Sequence, residues 1–166
     1  MAVEVRPAVA DDVPAIEEIG RKTWPATYSF AGDDYIAHGL ATWWSAKALL
    51  QSLDDTTVLV AVDRGQVVGT GNIDMRGAVP IIWKLYVLPQ AQASGVGSAL
   101  VTALLNRVPA GTSSVQLEYL DGNERAAAFY AAKGFTELRR EPAEHPGWPD
   151  AVWVERRMTG DATPGR

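Results

Sequence analysis

Residues 81–105 read IIWKLYVLPQAQASGVGSALVTALL, and Gln92, Gly95 and Gly97 stand just before an apolar repeat of Leu100, Val101, Leu104 and Leu105 at helical spacing. The branched and aromatic run before Pro89 has strand character, so the two glycines occupy a strand-to-helix loop. A helix start leaves its first N–H groups unpartnered and carries the positive end of the helix dipole, which is the chemistry of an anion site. Gly95 and Gly97 have no Cβ to hold a phosphate away from the backbone. A plain strand-to-helix turn would use the same glycines, and the loop alone does not decide between the two. A dinucleotide fingerprint would need a third glycine where Leu100 stands, and a phosphate-binding P-loop would need Gly-Lys-Ser/Thr; neither is present.

A second group of polar residues follows. SVQLEYL, with Glu118, reads as a strand, and DGNERAAAFYAAKGF reads as a bounded helix. Asp121 with Glu124 has capping-box spacing, Asn123 is an alternative cap, and Gly134 stands where a left-handed C-terminal cap belongs.

The rest of the chain supplies the elements that must position these residues. Val3 and Val5 alternate with Glu4 and Arg6 in a strand ending at Pro7. Asp11, Asp12 and Pro14 suit a helix start, with Val13, Ile16 and Ile19 on its apolar face. Residues 23–30, TWPATYSF, are aromatic and interrupted by Pro25, and read as a shaped loop. A second helix starts at Asp33 or Asp34 with Ile36, Leu40, Trp43 and Trp44 on one side, both tryptophans facing inward. TTVLVAVDRGQVVGTGNIDM is a hairpin turning at Asp63, Arg64 and Gly65, and leads to the strand at Ile81. The glycine-loop helix ends at Pro109, and residues 135–140 and 151–158 form a last strand pair around EPAEHPGWPD. The order is strand, two helices, three antiparallel strands, helix, strand, helix, two strands, which is an α/β architecture with helices on the faces of a mixed sheet.

Composition narrows the function. A chain of 166 residues suits one domain, read as 1–159, with a polar tail at 160–166. A net charge of −5 with no basic stripe argues against a nucleic-acid partner and fits a cationic or amine substrate. The absence of cysteine removes disulfides, thiolate metal sites and a cysteine nucleophile, and His38 and His145 are too far apart in sequence to suggest a metal. No run approaches the roughly 20 apolar residues of a membrane span, so neither a membrane partner nor a signal segment is expected and a cytoplasmic location is the default.

The two motifs together resemble the GCN5-related N-acetyltransferase (GNAT) family. LYVLPQAQASGVGSAL is similar to that family's acyl-CoA pattern through Gln92, Gly95 and Gly97, and NERAAAFYAAKGF to its later motif through Asn123, Tyr130 and Gly134-Phe135. VRPAVADDVPAI looks like the family's opening strand and helix, so in element order the resemblance spans residues 3–158. It implies a GNAT fold, a mixed and mostly antiparallel central sheet of about seven strands flanked by about four helices.

The resemblance also implies roles. The cosubstrate would be acetyl-CoA, with no metal. The backbone of Leu85, Tyr86 and Val87 would pair with its pantetheine arm, and the amides of Ala93, Ser94, Gly95, Val96, Gly97 and Ser98 would hold its pyrophosphate, with Gln92 in the same loop. Many relatives add basic residues to this loop, and here it has none. Tyr130 resembles the general acid, since a phenol with a pKa of about 10 is protonated at neutral pH. Asn123 would contact the pantetheine arm as well as cap its helix. Ile81 and Ile82 stand where some relatives place a glutamate base, so the base falls to Glu118 or a water chain; Glu118 matches a glutamate of the ribosomal-protein alanine acetyltransferases. Trp24, Tyr28, Tyr35, Asp74, His145 and Trp148 fall in regions that shape the acceptor site in this family, where aromatic and acidic groups would suit an amine. The expected activity is direct acetyl transfer to a primary amine of a small molecule or of a protein or peptide N-terminus. The competing reading is a catalytically inactive acyl-CoA-binding sensor or interaction module of the same fold. A homodimer through the sheet edge or the last strands is compatible with the resemblance.

Overall fold

The computed structural model describes residues 3–158, so the tail expected at 160–166 lies outside the described residues. Strand β1 (Val3–Pro7) precedes three helices, α1 (Val13–Thr27), α2 (Asp33–Trp43) and α3 (Ala46–Asp55). Strands β2 (Thr57–Asp63), β3 (Gln66–Asp74) and β4 (Ile81–Val87) follow, then α4 (Val96–Leu105), β5 (Ser114–Leu120), α5 (Glu124–Ala132), β6 (Thr136–Glu141) and β7 (Ala151–Arg157). The seven strands form one sheet in the order β1-β2-β3-β4-β5-β7-β6, antiparallel throughout except between β4 and β5. None of the described helices is long and apolar enough to cross a membrane.

The helices sit on both faces of the sheet. On β4 the side chains of Leu85 and Val87 point to Leu104 and Gly97 of α4, while Tyr86 points the other way, to Trp24, Tyr28 and Trp44 around α1. Alternation along one strand thus serves two helix layers. Helix α4 lies low over β3 because Gly71 has no side chain: a Cβ there would stand 3.0 Å from Cδ1 of Leu104. Leu59, Val60, Ala61, Ile73, Leu100, Leu104 and Val115 fill the core without measurable exposure.

Four local expectations are corrected. Residues 23–27 are helical rather than looped, although Pro25 cannot donate to the carbonyl one turn back. Burial outweighs that lost bond, because Trp24 is locked among the rings of Tyr28, Tyr35 and Trp44 at 4.4, 5.6 and 6.4 Å. The structure also contains α3, a third helix ahead of the sheet; the Ser45 hydroxyl caps it by accepting the Ala48 N–H, and it buries Leu49. The tryptophan pair splits at the end of α2: Trp44 is 3% exposed in the core and Trp43 is 41% exposed. Finally, α4 stops at Leu105, short of Pro109.

One irregularity shapes everything downstream. Asn72 pairs with Lys84 and Ile73 with Ile82, so Trp83 is an extra residue, a bulge in β4. Beyond it β4 leaves β5. The two strands pair only at Ile81 with Gln116 and Ile82 with Leu117, and then diverge.

Candidate active site

The divergence of β4 from β5 opens a cleft of about 780 Å³ between them, closed at its sides by the end of α1, the loop before α4, and α5. Along its β4 wall, the N–H of Lys84 is taken by the Asn72 side chain and that of Leu88 by the Val68 carbonyl, both on the β3 side. Strand alternation therefore turns the N–H and C=O groups of Leu85 and Val87 toward β5, which does not reach them. The Val87 carbonyl accepts Nε2 of Gln92 at 3.0 Å; the amides of Leu85 and Val87 make no bond among the described residues.

The glycine loop forms the wide end. Gly95 adopts the left-handed region, φ 84°, and starts α4 without a side-chain cap. The first helical bond entering α4 runs from Ala99 N to Gly95 O, so the N–H groups of Val96, Gly97 and Ser98 point out of the helix unbonded. Although the loop has no basic residue of its own, the fold supplies two, Arg125 in the first turn of α5 and Lys133 at its C-terminal cap. Lys133 donates to the Ser98 hydroxyl at 2.7 Å, and Arg125 reaches Oε1 of Gln92 at 3.4 Å. Cations thus stand beside an exposed helix N-terminus.

Three tyrosines converge on the middle of the cleft. Tyr28 and Tyr86 share a hydroxyl–hydroxyl bond of 2.7 Å, and Tyr130 approaches from α5, stacked on Tyr119 and edge-on to Phe135. Burial, and then the neighbouring Tyr28, hold the Tyr130 hydroxyl above its ordinary pKa, so it is protonated at neutral pH. Asn123 caps α5 by accepting the Ala126 N–H at 3.2 Å and also lines the cleft. On the β5 wall Glu118 faces the cleft, and burial, reinforced by Glu141 and opposed by Arg139, raises its carboxyl above the usual range.

Not every residue singled out in the sequence comes to this place. Tyr28, Leu85, Tyr86, Val87, Gln92, Ala93, Gly95, Gly97, Ser98, Glu118, Asn123 and Tyr130 line the cleft. Ser94 turns its hydroxyl to the Ala91 carbonyl, and the Val96 side chain is buried between α4 and β3. Trp24 is 3% exposed inside the aromatic core and lies outside the lining, because a side chain packed on five rings cannot also face solvent. Asp74 is at the far end of β3, clamped by Arg76 at 2.8 Å and by the Trp83 indole, and that clamp holds its carboxyl well below the usual range. His145 packs on Trp148 and His38 against α2, away from the lining. Of the residues expected at the acceptor, Tyr28 lines the cleft, and Trp24, Asp74 and His145 lie outside its lining.

Residues 54–137 match the family model described as the acetyltransferase (GNAT) domain. The chain belongs to the GNAT family of acetyltransferases. No curated protein matches it in sequence. Among solved structures, the GNAT fold is shared with the PaiA N-acetyltransferase from Thermoplasma acidophilum, solved in complex with coenzyme A: TM-score 0.78, 19% identity, covering 95% of this chain and 100% of that one. A GCN5-related N-acetyltransferase from Rhodopseudomonas palustris superposes with TM-score 0.81 at 20% identity over 95% of this chain and 97% of its own. The ribosomal-protein-S18-alanine N-acetyltransferase from Escherichia coli gives 0.76 at 19% identity over 99% and 97%.

Within this GNAT domain, sequence reasoning missed Arg125, Lys133, Lys84 and the Tyr86 hydroxyl. For the α5 pair a signal was available: if Asn123 caps the helix, Arg125 falls in its first turn and Lys133 at its end, on the element that follows the loop in space. Nothing local marks Lys84 or the Tyr86 hydroxyl, whose surroundings come from α1 and the turn after α2.

Proposed function

We propose that the cleft binds acetyl-CoA and transfers its acetyl group directly to a primary amine, of a small molecule or of a protein or peptide N-terminus. What carries this reading is the convergence in one cleft of unbonded strand amides at Leu85 and Val87, an uncapped helix start flanked by Lys133 and Arg125, and the protonated Tyr130. These groups match the parts of the cosubstrate: a strand edge for an amide-bearing arm, and N–H groups with nearby cations for a diphosphate. Nothing in the protein's own packing requires Gly97, since a Cβ there would meet the Phe129 ring at an ordinary 3.5 Å; a phosphate at the backbone would require it.

Acetyl-CoA supplies an activated thioester. In this reading the unbonded Leu85 N–H holds the thioester carbonyl oxygen as negative charge develops on it. Glu118, directly or through water, takes the proton that leaves the ammonium, so that the amine nitrogen can attack the carbonyl carbon. As the new C–N bond forms the C–S bond breaks; Tyr130 gives its hydroxyl proton to the departing sulfur and is reprotonated, through solvent, by the proton that the acylated nitrogen loses as it becomes a neutral amide. Asn123 caps the start of α5, the helix that carries Tyr130, and its own N–H bonds the Leu120 carbonyl at the end of β5.

Calorimetric titration with acetyl-CoA, followed by thiol release with a panel of amines and N-terminal peptides, tests the reading. Micromolar binding with amine-dependent release is expected; failure to bind acetyl-CoA would remove it. Binding with no release from any amine would leave the sensor reading in its place.

A further inference from the structure

Lys84 is the one charged group of the cleft's β4 wall, and the transfer chemistry above does not use it. It follows the Trp83 bulge and shares a strand face with Tyr86, opposite to the face of Leu85 and Val87 that α4 covers. Its ammonium makes no hydrogen bond or ion pair among the described residues and lies 5.2 Å from the centre of the Trp44 ring, which also packs on Tyr86 at 5.2 Å. Burial alone pulls its pKa down to about 8, with no neighbouring carboxylate to offset the loss of water. An ammonium in this condition has a strong preference for an anion.

That anion does not come from the phosphates of the donor. Lys84 stands three residues before Val87, about 10 Å along the strand and away from the glycine loop, and it projects toward α1 rather than α4. It faces the part of the cleft left for the acceptor. Tyr86, two residues on along the same strand face, and Tyr28, bonded to it, have two hydroxyl protons between them and spend one on each other, which leaves one to donate. One ammonium and one phenol, without a helix terminus or a second cation, suit a monoanion better than a phosphate. On the opposite wall stands Glu118, so the two sides of the acceptor space carry opposite charge.

We propose that Lys84, with the Tyr28–Tyr86 pair, is the carboxylate-recognising group of the acceptor site, and that the acceptor is an amino acid-like small molecule whose amine faces Glu118. This specificity rests on the transferase reading above.

The test uses matched pairs of amines that differ only in carboxylate or carboxamide, such as β-alanine with 3-aminopropionamide and 4-aminobutyrate with 4-aminobutyramide, together with α-amino acids and their amides. Thiol release from acetyl-CoA is measured for the wild-type protein, Lys84→Met and Lys84→Arg, with rates expressed per neutral amine. In at least one pair the carboxylate member is expected to show kcat/KM tenfold or more above its amide. Lys84→Met removes that preference mainly through KM, Lys84→Arg keeps most of it, and calorimetric affinity for acetyl-CoA stays within twofold in both. Equal use of the amides, a preference surviving in Lys84→Met, or acetyl-CoA binding without turnover of any carboxylate-bearing amine would overturn the proposal. Failure of the wild-type protein to bind acetyl-CoA would instead strike the transferase reading itself.

Discussion

The side-chain oxygen of Asn72 accepts the backbone N–H of Lys84 at 2.9 Å, where a regular ladder would place a carbonyl. Asn72 is 4% exposed, and its own amide donates to the Thr56 hydroxyl at 3.2 Å, so the side chain that holds the bulge open is itself held. Asn72→Leu would leave a buried N–H unsatisfied, at a cost of about 1–3 kcal/mol. The melting temperature should fall by about 5 °C. Acetyl-CoA affinity, read by calorimetry, should fall with it even though Asn72 does not line the cleft.

Tyr130→Phe removes a proton donor and little else, because the ring keeps its contacts with Tyr119, Phe129 and Phe135. Turnover should drop about a hundredfold. The calorimetric affinity for acetyl-CoA should change less than threefold. A protein that only senses acyl-CoA would show no loss of function with this variant.

Glu118 makes a pH-dependent prediction whose sign follows from its environment. A base must be ionised, and burial with the nearby Glu141 holds this carboxyl above the ordinary range, so activity should rise with pH through that raised pKa. Glu118→Gln should lower kcat and flatten this acidic limb. Stability runs the other way. A folded-state pKa above the unfolded one contributes stability below the unfolded pKa that is lost as pH rises through the folded value. The glutamine variant should therefore melt no lower than wild type at pH 7, which paired pH–rate profiles and thermal melts would check.

Lys133 tests the phosphate end. Its 2.7 Å bond to the Ser98 hydroxyl places an ammonium over the first turn of α4. Lys133→Ala should raise the acetyl-CoA dissociation constant about tenfold, as expected for a charge-assisted contact. Added salt should narrow the gap between variant and wild type.

Gly20 tests the packing behind Lys84. A Cβ on Gly20 would stand 2.5 Å from the Trp44 ring, so Gly20→Ala must displace the indole on which both Lys84 and Tyr86 rest. A loss of about 1–3 kcal/mol is expected in denaturant titration. Gly77→Ala, with open space around the added carbon, serves as the neutral control.

The parts of the molecule that were readable in the sequence are those set by neighbours along the chain. The hairpin at Arg64 and Gly65, the Asn123 cap as the alternative to Asp121, and the left-handed Gly134 each depend on a few adjacent residues, and each is legible in that local pattern. Pro25 misled because its effect on a helix is local while the burial of Trp24 is not. Trp43 and Trp44 are adjacent and identical, and only the break in α2 between them decides which is buried. The cations beside α4 were hidden for a similar reason: Lys133 and Arg125 meet Ser98 and Gln92 across 35 and 33 residues. Trp24, Tyr28, Asp74 and His145 are marked in the sequence by residue type and region alone, and of the four only Tyr28 faces the cleft.

The two-rung junction between β4 and β5 also bears on how the molecule comes apart. Strands β1 to β4 form one plate and β5, β7 and β6 another, joined through the sheet by the rungs at Ile81 and Ile82. Such a seam favours sub-global opening, with the three C-terminal strands exchanging their amide protons as a unit ahead of the rest. A molecule bound between the plates supplies the pairing that the seam lacks. Occupancy would thus be felt as cooperativity: two unfolding units merge toward one, and protection from hydrogen exchange spreads across the seam from Leu85 to Leu120.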